Sequence, residues 1–201
     1  MRKDFGSKTW LYPMPVLILA AYGENGEPMA MNVGWAGICG EHRVMLGLGK
    51  DHKTTEYLLK TGAFTLSPAT RAQLAACDYV GIDSGRDVPD KMAKSGFHAA
   101  RARTVNAPSL EELPLTLECR LLRYDPEEEI LVGSILNVSA DQSILDENGR
   151  IDGDKARFLT LDPGNLRYRI LGPTVGKAFR DGLSLSDKGK AKPFDDLKPL
   201  P

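Results

Sequence analysis

The sequence predicts a mainly β fold, a small closed antiparallel barrel with short helices at its rim. Strand-like runs follow one another at 16–22, 28–35 and 44–48, and again at 115–124 and 129–140. The joints between them are tight: Asn25-Gly26 is a strong hairpin signal, and Asp125-Pro126-Glu127-Glu128 forms a second turn. Helical stretches do not alternate regularly with strands, which argues against a doubly wound parallel sheet.

Each element follows from its residues. The run 16–22 is apolar throughout and reads as a strand buried on both faces. The run 28–35 alternates, with Met29, Met31, Val33 and Trp35 on one face and Ala30, Asn32, Gly34 and then Ala36 on the other. A third strand occupies 44–48. Asp51 is placed to cap a helix through Thr61, and Gly62 to stop it. A short strand at 63–67 precedes a second helix at 70–80, and the polar, glycine-rich stretch 81–91 reads as a loop. Two long strands, 115–124 and 129–140, are followed by a turn at 146–149 and a last strand at 158–161. From residue 184 the chain is rich in Lys, Asp and Pro, as a loosely held tail would be. The expected division is therefore a domain over 1–183 and a tail over 184–201.

Composition narrows the function. A formal net charge of −1 over 201 residues offers no electrostatic footprint for nucleic acid or an anionic membrane. The three cysteines lack a Cys-x-x-Cys spacing, which disfavours a disulfide framework or a zinc site and fits a reducing cytoplasm. The longest apolar run, 16–22, is too short to span a bilayer, and Met1-Arg2-Lys3-Asp4 does not begin a signal peptide.

The chemistry concentrates at 28–61. The small face of Ala30, Asn32, Gly34 and Ala36 allows a planar ring to approach the backbone, although by pattern alone close sheet packing explains it better. Lys50, Lys53, Thr54 and Thr55 mark a helix start, where free N–H groups and the positive dipole end attract anions; an ordinary solvated helix start is the alternative. Together they suit a flat ligand with a phosphate tail. Gly47-Leu48-Gly49-Lys50 is not a P-loop, because Val44 stands where its first glycine belongs and Asp51 follows the lysine. No G-x-G-x-x-G follows a strand. The acidic turn at 146 lacks the glycine and acid of a calcium loop, having Ile151 and Arg157 at those places. His42, His52 and His98 show neither metal-ligand spacing nor a nearby nucleophile motif, so neither a metal ligand nor a catalytic side chain is expected; His52 alone falls inside the candidate phosphate loop. The loop 81–91 can bring Arg86 or Lys91 over a ligand.

Several segments together resemble a known family. They are Tyr12-Pro13-Met14-Pro15-Val16, Gly26-Glu27-Pro28, Trp35-Ala36-Gly37-Ile38-Cys39, His52-Lys53-Thr54, Gly62-Ala63-Phe64 and Ser84-Gly85-Arg86-Asp87-Val88-Pro89-Asp90-Lys91. In this order, over about residues 7–182, the chain resembles the flavin reductase-like family with an FMN-binding split barrel, and within it the flavoredoxin-like proteins. The resemblance implies a six-stranded antiparallel Greek-key barrel and a homodimer with FMN near the subunit interface. It implies hydride from NADH or NADPH and electrons passed to a flavin or a redox-protein partner. It puts Asn32, Val33, Gly34 and Trp35 along the ring, Lys53 and Thr54 (with Lys50 beside them) at the phosphate, and Lys91 close to the flavin. Asn137 takes a position that often carries a flavin-facing histidine, so a histidine-dependent protonation is not assumed. Met29 stands where many relatives have asparagine. A non-enzymatic electron carrier with no nicotinamide site is the alternative reading, and a barrel that has lost flavin is a third.

Overall fold

The computed structural model describes residues 1–185. The chain divides into two units, Met1–Leu171 and Gly172–Pro201. In the second, Asp181 accepts a bond from the Lys177 amide (2.9 Å) at the start of a 3-10 turn, Asp181–Leu185. Apart from 184 and 185, the expected tail lies outside the described residues.

The first unit carries a seven-stranded antiparallel sheet curled into a half-barrel. Its strands are β2 (Leu17–Tyr22), β3 (Pro28–Val33), β4 (Ala36–Gly40), β5 (Arg43–Gly47), β6 (Ala63–Pro68), β9 (Leu115–Asp125) and β10 (Ile130–Ala140). They are ordered β3-β2-β6-β9-β10-β5-β4. Helix α1 (Lys53–Thr61) links β5 to β6. Helices α2 (Leu74–Ile82) and α3 (Lys91–Ser95) follow, and then a small ribbon of β7 (Ala99–Arg101) and β8 (Pro108–Leu110). The short helix α4 (Gly153–Ala156) leads to β11 (Leu159–Asp162) and β12 (Arg167–Ile170), which form a three-stranded sheet with β1 (Met14–Pro15). Among the described residues, no helix is long and apolar enough to cross a membrane.

Strand β2 is buried on both faces, as its unbroken apolar run requires. Leu19 and Ala21 point into the barrel core with Met31, Leu46, Phe64 and Leu131, while Ile18 and Ala20 join Cys77, Val80, Phe97 and Leu110 on the other side. Two cores therefore share one strand, and each fully buried Leu or Phe contributes about 1.5–3 kcal/mol to holding the layers together. Gly26, in the left-handed region at φ 80°, closes the β2–β3 hairpin, and Gly62 at φ 69° ends α1 with its amide on the Leu58 carbonyl (2.8 Å). Register shifts in β9–β10 bend that long hairpin. At one of them, a Cβ on Gly133 would lie 2.5 Å from Cζ of buried Phe64.

Several expectations need correcting. The strand read at 28–35 ends at Val33, and after Gly34-Trp35 the chain starts the unforeseen edge strand β4. Asp51 does not cap α1; His52 occupies that place with no side-chain bond to the first turn. The second helix starts at Leu74, because Thr70 instead pairs with Phe158 in an isolated bridge. The strand at 159–162 is not the last, since β12 folds back on it. The acidic turn at 146 is what it was read to be: the Asp146 carboxylate accepts from the Asn148 and Arg150 amides (both 2.8 Å).

Candidate functional site

A cleft of about 690 Å³ opens where β3 ends, α1 starts and α2 runs out into the loop before α3. Its volume is in the range of small-molecule sites. Asn32, Val33, Gly34 and Trp35 form one wall, Lys53 and Thr54 lie at one end, and Gly81, Ser84, Gly85 and Lys91 come from the α2–α3 side. The fold thus gathers seven of the nine predicted site residues from three separate stretches of chain. Lys50 and Asn137 are not among the lining residues. Lys50 is exposed one turn before α1. Asn137 donates to Oε1 of Glu118 (2.9 Å), whose other oxygen accepts from the Thr104 hydroxyl (2.6 Å), so its amide is spent pinning the loop before β8 to the sheet.

The small face of β3 is used mostly for close packing, the reading that pattern alone favoured. Ala30 is fully buried against α2, and Nδ2 of Asn32 donates to the Cys77 carbonyl (3.0 Å). Gly81 approaches Asn32 so closely that a Cβ there would lie 2.9 Å from the Asn32 Cβ. Close packing therefore accounts for Ala30 and part of Asn32, and the cleft opens only at the strand's end. Met29 faces the barrel core, 5% exposed, beneath Gly85, where a Cβ would lie 2.6 Å from its sulfur. It fills space under the cleft and does not line it.

The start of α1 is equipped for an anion. With no capping side chain, its first amides remain free of an intrahelical partner, and the dipole adds positive potential. The Nζ of Lys53 lies 3.6 Å from the Glu56 carboxylate and 4.7 Å from the centre of the Tyr57 ring. Burial and the neighbouring Glu27 push the Tyr57 hydroxyl up to about 12, so it stays protonated. Thr54 borders the cleft, whereas Thr55 is fully buried and its hydroxyl has no partner among the described residues.

Lys91 is the second positive group. It is 3% exposed, and among the described residues no carboxylate lies within ion-pair distance of it. Burial pushes its ammonium pKa down, against a smaller opposing pull from Asp83. An uncompensated buried cation costs several kcal/mol unless an anion joins it.

Sequence reasoning missed two parts of the wall. The segment Gly47-Leu48-Gly49 lines the cleft, although its glycines had been weighed only as a P-loop. Met14 and Leu161 close another side from the β1–β11 pair, a long-range contact with no local signal. Trp35 is 64% exposed and also borders a neighbouring apolar groove of about 670 Å³ with Trp10, Leu11, Met45 and Ile130.

Comparison with known proteins agrees with this arrangement. Residues 9–156 match the family described as "Flavin reductase like domain". The flavoredoxin of Desulfovibrio vulgaris (Miyazaki F) is 32% identical, covering 90% of this chain and 100% of its own, with a TM-score of 0.86. The flavoredoxin from Methanosarcina acetivorans is 26% identical, covering 92% and 100%, with a TM-score of 0.83. An FMN-binding domain of a flavin reductases-like enzyme from Shewanella baltica OS155, 20% identical over 81% of this chain and 88% of its own, has the same fold at a TM-score of 0.73. A protein described only as uncharacterized, from Aquifex aeolicus (strain VF5), is 28% identical over 106 residues; the match spans about half of that relative's length (54%). The mainly β split barrel, the cleft at its strand ends and the match over 9–156 lead to one conclusion: this chain belongs to the flavin reductase-like family.

Proposed function

We infer that the cleft binds FMN and that the protein is an oxidoreductase that takes hydride from NADH or NADPH and passes electrons to a flavin or a protein acceptor. The observation that carries this reading is Lys91, a buried cation bordering the cleft with no carboxylate in ion-pair reach among the described residues. With the uncapped start of α1, it gives the cleft two separate sites for negative charge. FMN has two such places, its phosphate and the pyrimidine edge of its ring. When bound, it supplies the hydride acceptance and electron release that no side chain here provides.

The chain's own residues hold and orient. The first amides of α1, the Thr54 hydroxyl and Lys53 serve the phosphate, and Trp35 flanks the ring. Lys91 stabilises negative charge at the pyrimidine edge, which matters most when the ring is reduced. Burial lowers the ammonium pKa of Lys91, and an anion beside it raises that pKa again.

A carrier role without a nicotinamide site is the second reading. It is favoured by the similarity to the flavoredoxin of Desulfovibrio vulgaris, which spans that whole chain. Anaerobic titration separates the two. Rapid bleaching of the purified protein's flavin spectrum by NADH or NADPH supports the reductase; no bleaching, with fast reduction by a ferredoxin-like donor, supports the carrier. A colourless protein that ignores added FMN rejects both.

The functional unit in this reading is a homodimer. Ile38, Met45, Leu136 and Val138 on β4, β5 and β10 are 69%, 43%, 41% and 52% exposed, an apolar set that a second copy would cover. Three free cysteines suit a reducing cytoplasm.

A further inference from the structure

We propose that Arg86 is a positioning residue that straps the loop between α2 and α3 to the start of α1 and thereby slows the escape of the bound cofactor. The proposal rests on the FMN reading of the cleft. Its geometry is independent of any ligand.

The loop is a stiff unit. Ser84 organises it: its hydroxyl accepts from the Arg86 amide (3.1 Å), and its carbonyl accepts from the amides of Asp87 (3.1 Å) and Val88 (3.0 Å). The Val88 carbonyl in turn accepts from the Lys91 amide (3.1 Å), so the turn fixes where α3 and Lys91 begin. Two of its residues, Ser84 and Gly85, border the cleft. Gly85 presses on α1, and a Cβ there would lie 3.5 Å from Cβ of Lys53 as well as in the Met29 sulfur.

One side chain leaves this unit and grips α1 at two points. Nε of Arg86 donates to the Asp51 carbonyl (3.0 Å), in the backbone just before the helix. Its Nη2 pairs with Oε2 of Glu56 (2.9 Å), in the helix's first turn. The two contacts bracket the free amides at the helix start. An exposed ion pair alone contributes little. A planar guanidinium spanning a carbonyl and a carboxylate is more directional, and a lysine ammonium cannot reproduce the fork. The Glu56 carboxylate is held below its ordinary range, first by Lys60 and also by Lys53 and Arg86, so it remains ionised and available to the strap.

The result is a fastening that yields without unfolding anything. The cleft wall that carries Ser84, Gly85 and Lys91 can lift from α1 only when both contacts break. Retention of the ligand should therefore depend on Arg86 more strongly than the stability of the fold does.

The test uses the full chain in two states. In ligand-free protein, hydrogen exchange of residues 84–91 should be faster in Arg86→Ala, and in Arg86→Lys, than in wild type, with thermal midpoints unchanged. In FMN-loaded protein, flavin fluorescence after dilution should show release about tenfold faster for Arg86→Ala, as expected for losing one or two such bonds. Glu56→Gln should lie between the two. Wild-type exchange in Arg86→Ala overturns the strap. Faster exchange with unchanged release overturns its role in retention. A wild-type protein that takes up no FMN overturns the flavin reading and the retention role with it, while the exchange data still decide whether the strap exists.

Discussion

Replacing Lys91 by methionine separates what the residue does for the fold from what it does for a ligand. The residue is 3% exposed with no ion-pair partner among the described residues, so the empty protein bears the desolvation cost of its charge. Lys91→Met keeps the volume and removes the charge. We expect the ligand-free variant to melt no lower than wild type, while FMN affinity by fluorescence titration falls roughly 10- to 100-fold, the range for deleting a charge-assisted contact. A large loss of stability with unchanged affinity would contradict this. His98 gives a pH prediction of the same kind. Its Nδ1 lies 2.6 Å from Glu112, and that bond holds the imidazolium pKa above its ordinary 6.5. Burial pushes Glu112 upward, but its bonds from His98 outweigh this and leave it below 4.5. The histidine's stabilising effect is complete below 6.5 and fades as pH rises through its folded value; the carboxylate's is complete above 4.5 and fades as pH falls through its own. Wild type should therefore lose urea resistance relative to His98→Gln as pH rises above 6.5, and parallel curves for the two proteins would refute the coupling.

Helix α2 is held against β3 by the absence of a side chain at Gly81. A methyl there meets the Asn32 Cβ at 2.9 Å, an atom fixed to the backbone, so the helix end must move. Gly81→Ala should cost about 1–3 kcal/mol in urea denaturation, as overpacking does. It should also weaken FMN binding, because Gly81 and Asn32 both border the cleft. The elements differed in how far the sequence announced them. Strands β2, β3, β9 and β10 were legible because long apolar or alternating runs end in Asn-Gly or Asp-Pro turns. Strand β4 was not, since Gly37 and Gly40 break its pattern and it lies at the sheet edge with most residues exposed. Strands β7 and β8, three residues each, are too short to show a period and are defined by pairing with one another. The cap of α1 failed for a related reason: Asp51 is a good capping residue by type, but the backbone puts His52 in the position that counts.

At the level of the whole molecule, the site was legible in its chemistry more than in its geometry. Lys53, Thr54, Trp35 and Lys91 came from an ordered set of short segments, and the fold brings them to one cleft. No local pattern could have added Met14, Leu161 or Gly47, which arrive through pairing of distant strands, nor shown that Lys50 and Asn137 fall outside the cleft's lining. The exposed apolar residues of β4, β5 and β10 make a global prediction. If these residues lie between two copies, Ile38→Glu combined with Met45→Glu should shift the mass by light scattering from dimer to monomer, with secondary structure by circular dichroism intact. A monomeric wild type would reject the dimer. The sheet edge at β4 has a practical consequence as well. Cys39 lies there, exposed, whereas burial pushes the thiols of Cys77 and Cys119 up to about 11 and about 12. Since thiolate and access govern thiol reactivity, a maleimide dye should mark this protein at one chosen point. A second copy seated over Ile38 would shield its neighbour Cys39, so pairing through β4 should slow that labelling.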